Sequence, residues 1–182
     1  DETRLEGILK SMQAADSQQR LAAEEEFKKI SPNHKAIPLL RISKREGTAE
    51  ELRSLSLDLL SCLLEDNIHM WSSDNLVPFS DELIQSLLAE THDAIREKQG
   101  NVLVQIANQS IALNSGVYAY PSIASFIQIC ADNKCSGLKR VALSVVRRVP
   151  NLFGTKRLSD LRDYLFKSLT DPDAAIRFIA LK

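Results

Sequence analysis

Three histidines and three cysteines are the side chains of this 182-residue chain best suited to act as nucleophile, base or metal ligand. His34, His69 and His92 fall in three different segments, two at expected helix starts and one in a loop. That is not the spacing of a metal site or of a base beside a nucleophile. Cys62, Cys130 and Cys135 are odd in number and form no CxxC pair, which argues against both a disulfide framework and a zinc site. They read as small buried apolar residues of an intracellular, reducing compartment, with Cys135 the one nearest the surface. No nucleotide-binding glycine loop, GxSxG elbow or HExxH occurs. The chain is therefore expected not to be an enzyme, and to use no cofactor and no metal. What remains is the chemistry of surfaces. Glu24-Glu25-Glu26 is either a contact for a basic partner or the solvated face of a helix. Trp71 either docks a partner or covers the end of a core between two repeats.

The elements that must carry these residues are helices. Hydrophobic content is 44%, drawn mainly from Leu, Ile, Val and Ala with few aromatics, which suits helix packing better than a sheet. A net charge of −1 gives nucleic acid or an anionic membrane no electrostatic reason to bind. No run of about 18 apolar residues exists, so no transmembrane helix is expected. The opening DETRLEGILK is charged and unlike a signal peptide.

Apolar periodicity predicts helices over Glu2–Met12, Ser17–Ile30 with Asp16 or Ser17 as cap, and His34 to about Ser43. Thr48 to about Leu64 follows, so rich in leucine that it must be flanked on several sides. After a loop over Glu65–Asn75, Pro78 opens a helix to about Glu90, and Thr91 caps another that runs to about Leu113. A turn around Gly116 leads to helices over Pro121 to about Ala131, Gly137 to Val149 (stopped by Pro150) and Lys156–Leu169. In the closing TDPDAAIRFIALK, Asp171 and Pro172 are helix-start signals, and the chain stops inside that last helix.

That closing stretch holds an apolar-basic-x-x-small pattern, Ile176-Arg177 with Ala180, and weaker copies recur upstream. Aligning them puts Arg20, Arg53, Arg96, Lys139 and Arg177 at one position, at intervals of 33, 43, 43 and 38. The preceding residue is Leu52, Ile95, Leu138 and Ile176 in four units but Gln19 in the first; three residues on stand Ala23, Ser56, Gln99, Ala142 and Ala180. A basic residue in a first helical turn opposes the helix dipole, so each is expected to have a local acidic or carbonyl partner. Helix pairs of this period predict an all-α fold, a right-handed α-solenoid of about five HEAT-type pairs, with a globular helix bundle as the alternative. Ile176, Ile179 and Leu181 are expected to form an exposed apolar end that a following repeat would cover.

The order of the units resembles the N-terminal region of an importin-β-type karyopherin. A short first helix followed by SQQRLAAEEEFKKI is similar to that family's opening, and Trp71 before a helix with Ile84 and Leu87-Leu88 fits it. Val149-Pro150-Asn151-Leu152-Phe153-Gly154 resembles the P-x-x-F-G turn after the fourth repeat in the branch that carries ribosomal proteins and histones. Leu60-Ser61-Cys62-Leu63 departs from the paired arginine common in members.

The resemblance implies that residues 1–182 are the N-terminal segment of a longer solenoid. It implies a nuclear transport receptor that binds the GTP form of the GTPase Ran on second helices of its first repeats. It also implies protein cargo further along, contact with phenylalanine-glycine (FG) nucleoporins, and a place in cytoplasm, nucleus and nuclear pore. Helical spacing away from the apolar positions then selects the Ran-facing stripes. They are Glu24, Glu25 and Lys28; Asp58, Ser61 and Glu65; and Asn101, Gln105 and Asn108. The alternative is a HEAT-repeat scaffold or adaptor without Ran binding, since fold does not choose between them.

Overall fold

The computed structural model describes residues 2–67, 71–113, 120–149, 151–154 and 158–181. Ten α-helices and no strand occur among them. They fall into two compact units, divided after Asn67.

The first unit contains α1 (Glu2–Met12), α2 (Ser17–Lys29), α3 (Pro32–Lys44) and α4 (Glu50–Asp66). Leu5, Ile8 and Leu9 give α1 one buried stripe, which packs on α2, α3 and α4. Asp16 caps α2: its Oδ1 accepts the Gln18 N–H at 2.8 Å, satisfying one of the four orphan donors of a helix start. Ala23 is the one fully buried residue of α2, whereas α4 buries Leu52, Leu57, Leu60, Leu63 and Leu64. Gly47, at φ 79°, makes the left-handed turn between α3 and α4 that a side chain would resist.

The second unit contains α5 (Ser73–Ala89), α6 (Asp93–Leu113), α7 (Pro121–Asp132), α8 (Ser136–Arg148), α9 (Leu158–Leu169) and α10 (Ala174–Ala180). Each odd-numbered helix packs on the even-numbered one that follows. First helices then stack on one another, α5 on α7 and α7 on α9, and second helices likewise, α6 on α8 and α8 on α10. Stacking of pairs is what gives a repeat its core. Two glycines let α6 and α8 approach closely. A Cβ on Gly100 would lie 2.6 Å from Val141 Cγ1, and one on Gly137 would collide with the Arg96 and Asp93 side chains.

The repeated register is realised in the burial pattern. Leu52, Ile95, Leu138 and Ile176 are buried and Gln19 is exposed; four residues later Ala23, Ser56, Gln99 and Ala142 are buried and Ala180 is half-buried. Arg20, Arg96 and Arg177 grip carbonyls just before their own helices, and Arg53 reaches back to one in α3. Arg20 Nη1 donates to Ala14 O and Ala15 O at 3.0 and 3.1 Å, and Arg177 Nη1 to Asp171 O and Pro172 O at 2.8 and 2.9 Å. Arg96 reaches Glu90 O and the Asp93 carboxylate, and Arg53 Nε reaches Ser43 O at 2.7 Å. Lys139, too short for that fork, points to the next pair instead, where its Nζ meets Asp171 Oδ2 at 2.5 Å.

Four local expectations need correcting. Pro78 lies inside α5, which starts five residues earlier at Ser73. Pro78 is the sixth residue of α5, beyond the four N–H groups that lack an intrahelical partner, so it forgoes one helical hydrogen bond instead of opening the helix. Thr91 does not cap α6: Glu90 Oε1 accepts the Thr91 and His92 N–H groups at 3.0 and 2.9 Å. Asp171 does not cap α10. Asp173 does, through Ala175 N at 2.8 Å, and Pro172 precedes the helix because Asp171 is held by Lys139 and by the Asp173 N–H. Finally, Ile176 is fully buried and Ile179 half-buried. The exposed apolar groups near that end are Phe178 and Leu181 on one helix and Phe166 on the other.

Candidate interaction surface on the second helices

The even-numbered helices turn their register positions inward, so the residues between those positions form polar outer stripes. On α2, Glu24, Glu25 and Lys28 are exposed. Glu25 and Lys28 form an ion pair at 2.8 Å; this hydrogen bond holds the Glu25 carboxyl below its ordinary value and raises the Lys28 ammonium above its own. On α4, Asp58 and Glu65 are exposed and Ser61 is half-buried. On α6, Asn108 is exposed, while Asn101 and Gln105 are half-buried. Asn101 Oδ1 accepts a hydrogen bond from Arg148 Nη1 at 2.6 Å, so this stripe borders α8.

That border holds residues which the choice of α2, α4 and α6 missed. A groove of about 500 Å³ lies between α6, α8 and α10, lined by Asp93 and Glu97, by Arg140, Ser144 and Arg147, and by Ile179. Arg140 Nη2 donates to Asp93 Oδ2 at 2.9 Å across it. The signal was present in the sequence: α8 carries Lys139, Arg140, Arg147 and Arg148 and no acid, around buried Leu138, Val141, Ala142 and Val145.

The remaining candidates stand on separate elements. His34 Nδ1 lies 3.1 Å from Ser31 Oγ at the start of α3, His92 stands just before α6, and His69 lies outside the described residues. Cys130 is buried, which pushes its thiol up to about 12 and leaves it inert; Cys135 is half-buried. Cys62 is exposed, contrary to the expectation of a buried residue, because it sits on the outer side of α4. Trp71 is half-buried, its ring 5.8 Å from that of Phe79, as a cover for the end of α5. Glu26, the third of the acidic run, accepts Arg4 Nη2 of α1 at 2.8 Å. In the segment after α8, Leu152 and Phe153 are buried and Gly154 turns at φ 61°; Pro150 lies outside the described residues. Among the described residues no helix is long and apolar enough to cross a membrane, and no group of His, Cys, Asp and Glu is placed to hold a metal.

Comparison with solved structures finds Kap121p bound to Pho4p, with TM-score 0.84 at 16% identity, and Kap121p bound to RanGTP, with TM-score 0.79 at 16% identity. A third, Kap121p bound to Ste12p, has TM-score 0.84 at 17% identity. Each match covers 99% of this chain and 17% of the solved one, so the chain spans about a sixth of the length of those receptors. Identity this low speaks for the fold alone, and the fold is the HEAT-type α-solenoid of a karyopherin. No curated protein matches the sequence closely enough to count as a relative. A family model described as "IPO5-like, TPR repeats" matches residues 91–182. Two of the three later intervals here, 43 and 43 residues, lie in the HEAT range of about 40–47, and the third, 38, lies between it and the TPR period of about 34. With half of the sequence matched by that model and the helix pairs folded as in a karyopherin, the chain belongs to the IPO5-like family of importin-β-type karyopherins.

Proposed function

We propose that the chain is the N-terminal segment of a longer nuclear transport receptor and takes the GTP form of Ran on its second helices. The whole receptor would carry protein cargo through the nuclear pore. It would touch FG nucleoporins and move between cytoplasm and nucleus, with no catalysis of its own. The family match over residues 91–182 carries this reading. The similar Kap121p is known bound to RanGTP, Pho4p, Ste12p and Nup53p, which supports GTPase, protein and nucleoporin partners here. A longer solenoid is supported by the apolar side of α9, where Leu161, Leu165, Phe166 and Leu169 form an open groove of the kind a further first helix would fill.

Ran is proposed to read Glu24, Glu25 and Lys28, Asp58, Ser61 and Glu65, and Asn101, Gln105 and Asn108. The charged members of this set would govern specificity and encounter rate more than raw affinity. Reversing Glu24 and Glu25 to Lys is expected to weaken GTP-loaded Ran binding by about tenfold and to change its salt dependence. Helix content by circular dichroism should stay unchanged, since both side chains are exposed on α2. Unaltered affinity by titration calorimetry would show that the stripe is only a solvated face.

A further inference from the structure

In the first unit a lysine is buried with no opposite charge beside it. Lys35 is 6% exposed, and its Nζ lies 4.3 Å from the centre of the Phe27 ring. Among the described residues that ring is its one partner, with no ion pair or hydrogen bond to the ammonium. Burial holds the group below the ordinary lysine value. Lys35 also stands in the first turns of α3, where the helix dipole opposes a cation. Arg20, Arg53, Arg96 and Arg177, near the starts of their own helices, reach carbonyls, and Lys139 reaches Asp171. Lys35 alone of this group lacks an anion or a carbonyl.

The corner between α2 and α3 has room for one. Ser31 is the residue before α3, four positions ahead of Lys35, a spacing that brings the two side chains within reach of each other. Ser31 is exposed and makes no capping hydrogen bond, so the first N–H groups of α3 have no side-chain acceptor. Its Oγ lies instead 3.1 Å from His34 Nδ1. Lys28 and Lys29, both exposed, end α2 just before it. Pro32 keeps Ser31 extended, at φ −64° and ψ 147°, the backbone form in which protein kinases take their substrates. From this we infer that Ser31 is a phosphorylation site for a kinase that takes serine before proline, its phosphate held by Lys35, His34 and the start of α3. The Ser31 Oγ–P bond forms as the bond from the γ-phosphorus of a nucleoside triphosphate to its β–γ bridging oxygen breaks. The hydroxyl proton passes to the kinase's base, and the nucleoside diphosphate leaves. The phosphate brings nearly two negative charges and three acceptor oxygens to a helix start, where such groups are favoured.

Two measurements test this. The folded chain is incubated with a proline-directed kinase and ATP, beside a peptide of residues 28–35, and modification is mapped by mass spectrometry. Phosphate on Ser31 of the folded chain is expected; its absence there, with or without modification of the peptide, overturns the proposal. The phosphorylated chain, made with genetically encoded phosphoserine, is then titrated by ³¹P NMR. The second pKa of the phosphate, about 6 in a free phosphoserine, is expected to lie about one unit below that of the phosphorylated peptide. Lys35→Met should return at least half of that difference. A value equal to the peptide's, or a lowering that Lys35→Met leaves intact, overturns the anion site. Met keeps the length of the side chain over Phe27 and removes its charge. Lys35→Met should therefore leave the melting temperature of the unmodified chain unchanged or higher. In the phosphorylated chain it should lower that temperature by about 2–4 °C. An equal fall in both chains would make Lys35 a packing residue and contradict the proposal.

Discussion

Asp171→Ala is expected to lower the stability of the second unit by about 2–4 kcal/mol, measured by urea unfolding. Asp171 is 8% exposed, and its carboxylate does two things at once. Oδ2 takes the Lys139 ammonium of the preceding pair at 2.5 Å, and Oδ1 takes the Asp173 N–H at 2.9 Å, shaping the turn into α10. Alanine removes both and leaves Lys139, itself mostly covered, without its partner. Lys139→Ala should cost a similar amount, and the double variant much less than the sum, because the two single losses share one interaction.

The same pair gives a pH signature. The Lys139 hydrogen bond, then the Asp173 N–H, hold the Asp171 carboxyl below the ordinary aspartate value of 3.8. A depressed folded value means that the unfolded chain binds the proton more readily, so stability falls as protons are added. The contribution is complete above the ordinary value and is lost as pH falls below it, through the folded value. The gap in melting temperature between wild type and Asp171→Ala should therefore be constant near neutrality and shrink below about pH 4. A gap unchanged down to pH 2 would assign the loss to the turn rather than the charge.

Phe126→Ala is the other large effect, about 3–5 kcal/mol. Among the described residues Phe126 is the largest fully buried side chain, in α7 between its stacking neighbours α5 and α9 and its pair partner α8. Its removal leaves a cavity that rigid helices fill only in part. Phe166→Ala, on the next first helix, should change stability by no more than about 0.5 kcal/mol, because that ring is 62% exposed. Equal losses at the two sites would contradict the assigned faces of α7 and α9.

The contrast shows what periodicity can and cannot disclose. The register of Leu52, Ile95, Leu138 and Ile176 was legible because each stands before a basic residue that opposes its own helix dipole, and all four are buried. The need for a partner was legible too, and the carbonyl grips of Arg20, Arg96 and Arg177 meet it. Which acid caps and which acid pairs was not: Asp171 and Asp173 are both plausible caps in the linear sequence. Lys139, 32 residues earlier, draws Asp171 out of that role. Exposure of the polar positions on α2, α4 and α6 was legible in part: six of the nine proposed positions are exposed, and Ser61, Asn101 and Gln105 are half-buried. The groove was not, because it needs α8 beside α6, a closeness that Gly100 and Gly137 permit and that no local pattern announces.

We propose that this chain is the Ran-reading part of a nuclear transport receptor. Titration calorimetry of this chain against Ran loaded with GTP, and then with GDP, tests it most directly. Saturable binding of the GTP form, at least about tenfold tighter than of the GDP form, is predicted. Equal affinity for the two forms, or binding of neither, would contradict it and leave a HEAT-repeat scaffold whose partners lie elsewhere.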